Sequence, residues 1–362
     1  MALCGDVMTG RGVDQILPHP GDPELRERYI RDARRYVELA ERANGPIPRP
    51  AEFAWPWGDA LQALEDLAPD VRMINLETTI TARAEFAPGK SVHYRMSPDN
   101  MPCLSMLRPD VCVLANNHVL DFGPVGLQNT LDALSRASLL SAGAGRAQAA
   151  SRPAIVPIAE DVRVVVLACG AGSSGIPAGW SATPDRSGVY RLADLSDATA
   201  AEIVRRLQAI KHPRDISVVS IHWGSNWGYR VGADQRRFAH RLLDGGIDVV
   251  YGHSSHHPRP IEIYQDKVVL FGCGDFVDDY EGIGGYEEYR DDLRLIYVVS
   301  VATDSGRLVR LGMIPMQARK MRLQRAPAAD AAWLQATLDR TSRHFGTRID
   351  LEPDGTLTAR SA

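Results

Sequence analysis

The sequence predicts a mixed α/β protein, and three observations carry that prediction. Short runs of β-branched and aliphatic residues alternate with segments of helical periodicity. Five of those runs end on polar residues of metal-ligand type, and in an open sheet such strand ends gather along one edge. The 362 residues, 44% hydrophobic and 24% charged, suffice for a sizeable core, and neither an internal repeat nor a low-complexity linker divides them. One domain is therefore expected over residues 1–320, with loop insertions at 17–55 and 170–190. Residues 321–362 are expected to add a C-terminal helix and tail packed on the same domain.

In chain order, a very short first strand, Ala2 to Cys4, runs into Gly5-Asp6-Val7-Met8-Thr9-Gly10-Arg11. The insertion that follows is rich in Pro and charge, with helical character from Glu24 to Asn44 ended by Gly45-Pro46. It is expected to lie over the first motif. A helix over Trp57–Leu67 leads to a strand, Asp70 to Leu76, that ends on Glu77. A short helix at Met101–Leu107 precedes the strand Val111–Ala115, which ends on Asn116-Asn117-His118. After a helix at Leu127–Ala137, Ala154–Ile158 and Val162–Ala168 read as a hairpin. Residues 170–190 read as a second loop over the site. A helix at Ala198–Ile210 precedes the strand Asp215–Ile221, which ends on His222. A helix at Gln235–Asp244 precedes Ile247–Val250, which runs into Tyr251-Gly252-His253-Ser254-Ser255-His256-His257. The strand Lys267–Phe271 ends on Gly272-Cys273-Gly274-Asp275-Phe276, with an acidic loop over 278–292. A hairpin turns around Asp304-Ser305-Gly306, a helix spans Ala328–Phe345, and the tail from Asp350 reads as a loose end.

Composition narrows the function. A net charge of −4 and a pI near 6.2 give no basic footprint for nucleic acid or acidic lipid. The five cysteines lack paired spacing and read as reduced thiols. The chain enters its first motif at once and holds no run of about 18 apolar residues, so a cytoplasmic protein that does not span a membrane is expected.

Each polar strand end has a bland alternative. Asp6 could cap a turn, Glu77 could pair with a surface Arg, and His222 taken alone reads better as a satisfied core histidine. Together, carboxylates, one amide oxygen and imidazoles suit a borderline divalent ion such as Zn, Mn, Fe or Co. The acidic loop could be a solvated face, but its interleaved tyrosines argue for a folded, hydrogen-bonded loop.

These pieces, in this order, resemble the CapA family, named for poly-γ-glutamate capsule synthesis. They are Gly5-Asp6-Val7-Met8, Gly10-Arg11, Asn75-Leu76-Glu77, Ala115-Asn116-Asn117-His118 with Asp121 and Gly123, His222-Trp223-Gly224, Gly252 to Pro258, and Gly272 to Phe276. The resemblance covers roughly residues 2–300. It implies a calcineurin-like metallophosphoesterase fold, a β-sandwich flanked by helices (α/β/β/α) with metal at the strand ends. It implies Asp6, Glu77, Asn117, His222, His253 and one of His256 and His257 as ligands, with His118 as an acid. Two positions depart from the metallophosphoesterase pattern: Met8 stands where a histidine is usual, and Glu77 where an aspartate bridges two metals.

Soluble CapA-like proteins are also similar to peptide epimerases of lasso-peptide biosynthesis, which need no organic cofactor. That likeness implies proton exchange at an α-carbon of a peptide or peptide-like substrate, which requires a base, an acid and positive charge on the carboxyl oxygen. His118, His222, His256 and His257 are the candidates for proton exchange. Arg11 or a metal would hold the carboxylate. Arg95, Trp223, Asp279, Tyr280 and Arg290 are candidates for substrate contact. Two alternatives stand beside the epimerase: a metal-dependent hydrolase of a phosphoester or γ-glutamyl/amide bond, and an accessory protein of poly-γ-glutamate biosynthesis.

Overall fold

The computed structural model describes residues 1–362. Its core is a pair of facing β-sheets. The first is ordered in space Thr347–Leu351, Leu357–Ser361, Leu308–Ala318, Leu293–Val301, Ala2–Val7, Arg72–Leu76, Val111–Val113, Leu140–Ala142. Asp275–Val277 joins it beside Ala2–Val7, and Leu323–Arg325 beside Leu308–Ala318. The second is ordered Ile261–Tyr264, Lys267–Leu270, Val249–His253, Ile216–His222, Val162–Gly170, Ala154–Ala159.

Strand alternation builds three cores from these two sheets. Leu3, Met73, Val111 and Val113 of the first sheet pack on Val164, Val166, Val218, Val249 and Tyr251 of the second. The opposite face of the first sheet, through Cys4, Ile74, Leu76 and Cys112, meets the helical segments before residue 140. The opposite face of the second, through Val165, Leu167, Val219, Ile221 and Val250, meets Ile203, Leu207, Phe238 and Leu242 of the helices Asp197–Gln208 and Ala233–Asp244. The result is the helix–sheet–sheet–helix layering expected for the family. No helix is long and apolar enough to cross a membrane.

Several element boundaries differ from the sequence reading. The first strand continues through Gly5 and Asp6 to Val7, because it pairs with strands on both sides. Added at Gly5, a Cβ would lie 1.8 Å from the Gly274 carbonyl oxygen, so only glycine lets these two backbones meet. In the insertion, regular helix begins at Arg34, not Glu24, and buries Tyr36, Val37 and Ala40 beside Val13 and Ile16. The tail is not loose. Asp354-Gly355 turns the chain between Thr347–Leu351 and Leu357–Ser361, and the second of these pairs with Leu308–Ala318. Its alternating Leu-Thr-Ala pattern places Leu357 in the inter-sheet core with Leu334 and Leu338 of the helix Ala328–Ser342.

The position of the tail leads to a stability prediction. Truncating fully buried Leu357 to Ala is expected to cost about 2–5 kcal/mol in denaturant unfolding. Leu351→Ala, at a side chain in the same hairpin that is 43% exposed, is expected to stay within about 0.5 kcal/mol. Equal, negligible losses at both positions would mean that the tail does not complete the core.

Candidate metal centre

The centre starts from sheet register. Strands Ile216–His222 and Val249–His253 are parallel neighbours, and the register pairs His222 with His253. Both sit two residues beyond inward-facing positions, so both imidazoles enter the space between the sheets. Asp6 arrives from the other sheet. Pairing of its strand with Arg72–Leu76 shifts register between Leu3 and Asp6, and such an irregularity re-aims a side chain. Ligand atoms of Asp6, His222 and His253 all lie within 4.8 Å of one another, and all three residues are buried.

Hydrogen bonds decide which ring nitrogens face inward. The Nε2 of His222 lies 2.8 Å from the Asn117 amide oxygen, an acceptor, so Nε2 carries the proton and Nδ1 keeps a lone pair. The Nε2 of His253 bonds the Ser220 hydroxyl at 2.7 Å. The two Nδ1 atoms then face each other at 2.8 Å. The Ser220 hydroxyl can donate to His253 Nε2, which lets His253 Nδ1 carry a proton and donate to His222 Nδ1; a divalent ion at this place would displace that proton.

Carboxylates surround the pair. Asn75 donates from one amide nitrogen to Asp6 at 2.8 Å and to Glu77 at 3.0 Å, and its oxygen accepts from Asn116 at 3.0 Å. Asp6 also accepts from the Ser254 backbone N–H at 3.1 Å. A Glu77 oxygen lies 3.8 Å from His222 Nε2 and 3.9 Å from His118 Nε2. Burial, and then the nearby Asp275 charge, push the Asp6 carboxyl up to about 7. Burial and then Asp6 raise Glu77 well above the carboxylate range. Burial pushes His253 down to about 3 and His222 well below its ordinary value. Neutral imidazoles and carboxylates short of positive charge form a donor set that fits a divalent cation.

Beside this group lies a cavity of about 340 Å³, whose lining includes Glu77, Lys90, Asn117, His118, His256 and Tyr280. Asp121 grips His118 Nδ1 at 2.6 Å and the Lys90 ammonium at 2.6 Å. Burial brings His118 down to about 4 despite Asp121. His256 is held by Asp275 at 2.9 Å and by the Asn226 amide at 2.9 Å. Burial lowers His256, but Asp275, Asp6 and Asp278 together leave the ring above its ordinary value.

The structure thus gathers Asp6, His222 and His253, with Glu77 and Asn117 at their margin, and places His118 and His256 on the cavity wall. Other sequence candidates lie elsewhere. His257 bonds the Pro258 carbonyl through Nδ1 at 3.0 Å and packs among Tyr229, Tyr289 and Trp227, with its buried Nε2 unpartnered and outside the Asp6–His222–His253 group. Arg11 is consumed by Asp279, Glu27 and Tyr36, which leaves neither its guanidinium nor Asp279 free for a substrate. Trp223 is fully buried, stacks on Phe271 and donates to its carbonyl at 3.0 Å, a core role. Arg95 donates to the carbonyls of Arg83 and Asp22. Arg290 pairs with Asp292 and Asp330. Tyr280 alone of the substrate candidates lines the cavity, its hydroxyl bonded to Tyr94 at 2.9 Å.

Sequence reasoning assigned no role to Asn75, Ser220, Lys90, Asp121 or Asp275. Strand alternation could have found two of them, since Asn75 and Ser220 stand two residues before Glu77 and His222 and share their faces. Lys90 sits in an irregular loop with no periodic signal.

The family model described as bacterial capsule synthesis protein PGA_cap matches residues 1–280. A protein of Mycobacterium tuberculosis named a probable polyglutamine synthesis accessory protein is 56% identical over 98% of this chain and 94% of its own length. A PGA biosynthesis protein CapA of Bacillus subtilis is 26% identical over 82% of this chain and 66% of its own length. A capsule biosynthesis protein CapA of Bacillus anthracis is 24% identical over 77% of this chain and 59% of its own. These names overturn the expected enzyme activity: they describe accessory and biosynthesis proteins, and none describes a peptide epimerase or other isomerase. With its motifs, its layered fold and a family match over most of its length, the chain belongs to the bacterial capsule synthesis protein family, PGA_cap.

Proposed function

We propose that this protein is an accessory component in the synthesis of a polymer of glutamate or glutamine units. In this reading it works beside a polymer-forming enzyme. It holds one divalent ion with Asp6, His222 and His253, and it receives the polymer's terminal carboxylate in the adjoining cavity. The observation that carries the reading is the pair of facing Nδ1 atoms, 2.8 Å apart and next to the Asp6 carboxylate, at the side of a cavity that presents Lys90 and His256.

Each neighbour has a defined part. Ser220 and Asn117 hold the two rings so that both Nδ1 atoms point at one place. Asn75 keeps Asp6 and Glu77 together against their mutual repulsion. Lys90, held by Asp121 and the Asn117 carbonyl, stands on the cavity wall as an ammonium donor for an incoming carboxylate, its charge matched by Asp121. A bound ion would add a Lewis-acidic charge that orients a carboxylate or amide oxygen.

Two outcomes are expected. Titration calorimetry of chelator-stripped protein with Zn, Mn or Co should show one ion per chain. Ser220→Ala should weaken that affinity by about 10–100-fold and His253→Ala by more, while His257→Ala leaves it unchanged. No ion bound, or a loss shared equally by His257→Ala, would sink the metal assignment. Secondly, the metal-loaded protein should bind a γ-glutamyl dipeptide, and Lys90→Gln should weaken this by about tenfold without changing metal affinity. Failure of the dipeptide to bind at millimolar concentration would count against the site as a polymer-end receptor.

A further inference from the structure

The cleft that holds the cavity at Lys90 and His118 continues past Tyr280 into a separate small cavity of about 180 Å³. That volume is under the range of about 300–1,000 Å³ for drug-sized ligands, so it suits one small molecule and not a chain. Its apolar lining comes from three parts of the fold. Ala43 belongs to the helix Arg34–Asn44, Ile283 to the 278–292 loop, and Ala318 and Met321 to the end of the strand Leu308–Ala318 and the turn after it.

The charged groups in its wall divide into matched ones and a remainder. Arg294 pairs with Asp278, and Asp292 pairs with Arg290 from outside the cavity. Both Glu281 oxygens are occupied, by the Lys320 and Met321 backbone N–H groups and the Asn44 amide. Asp291 and Arg319 remain with no partner side chain, and they are opposite in sign. Burial raises the Asp291 carboxyl, with Arg294 opposing it, as expected of a carboxylate short of positive charge.

We infer that this cavity binds a free α-amino acid with an apolar side chain: its ammonium at Asp291, its carboxylate at Arg319, and its side chain against Ala43, Ile283, Ala318 and Met321. A cation alone would leave Arg319 unmatched, and an anion alone would leave Asp291 so. A molecule that carries both signs a few bonds apart meets both groups. The inference uses neither the metal centre nor the polymer, and it gives the cavity a ligand of its own. Tyr280 stands in the walls of both this cavity and the one beside the metal centre. An occupant bridging Asp291 and Arg319 would tie the 278–292 loop to the turn after the strand Leu308–Ala318 and slow the opening of that loop.

The test uses the full-length protein, with leucine as the probe and calorimetry at about 0.15 M salt. N-acetyl-leucine lacks the ammonium and leucinamide the carboxylate, so each should bind about tenfold or more weakly than leucine. Asp291→Asn should weaken leucine about tenfold and leave N-acetyl-leucine unchanged, and Arg319→Gln should weaken leucine and leave leucinamide unchanged. Arg319 is exposed and Asp291 half-buried, so neither substitution removes core packing. Amide hydrogen exchange across residues 278–292 should slow by about threefold or more in the leucine complex of the unmodified protein, a check that needs no variant. No leucine binding at about 10 mM would overturn the inference. So would leucinamide or N-acetyl-leucine binding as tightly as leucine, which would mark a simple cation or anion site. Exchange that stays unchanged while leucine binds would place leucine elsewhere and overturn it as well.

Discussion

The facing Nδ1 atoms of His222 and His253 are the constraint from which the rest of the site follows. Parallel register puts the two rings side by side, and the inter-sheet core fixes how far apart the sheets stand. Neither ring can turn away without breaking a bond, to Asn117 for one and to Ser220 for the other. Asp6 completes the group only because its strand changes register before it enters the space between the sheets. A metal-type arrangement is therefore held by the backbone of both sheets and by a layer of amides and hydroxyls, as a preorganised site requires.

Around this group the chain spends several strong charges on holding loops in place. Arg11 joins the first motif to the insertion through Glu27 and Tyr36 and to the 278–282 loop through Asp279, with its guanidinium over the rings of Tyr36 and Tyr94. Tyr280 follows Asp279 and reaches the cavity with its hydroxyl on Tyr94 and near the Met8 sulfur, 3.8 Å away. Where the metallophosphoesterase pattern has a histidine, the buried Met8 side chain is thus part of the support for a loop that walls the cleft. Breaking the Arg11 network would leave buried charge unpaired, so its effect on the cleft would act through loop position rather than substrate contact.

The layered fold was legible in the sequence because its signals are local. Runs such as Val162–Ala168 and Ile216–Ile221 announce strands by composition, and ligand-type residues mark their ends. Pairing between distant residues was not legible. Arg11 and Asp279 are 268 positions apart, and nothing near either residue says that each is spent on the other. Arg95 and Arg290 are occupied in the same way, so basic residues that look available in sequence are taken up by carbonyls and carboxylates. Asn75 and Ser220 fall on the right strand faces, but an Asn or Ser inside a strand carries no mark of function until its neighbour across the sheet is known. The C-terminal hairpin was missed because its second strand is five residues long and half polar.

Charge pairing also bears on how many ions the site suits. Asp275 is matched by His256, and Asp121 by Lys90. That leaves Asp6 and Glu77, both buried, sharing the single Asn75 amide between them. One divalent cation beside His222 and His253 would balance those two carboxylates and take the place of the proton between the two Nδ1 atoms. A second would arrive with no further uncompensated carboxylate and with Met8 in place of an imidazole. The same residues that depart from a two-metal phosphoesterase pattern therefore favour a site with one ion, short of the pair that would clamp the attacking and leaving oxygens of a displacement.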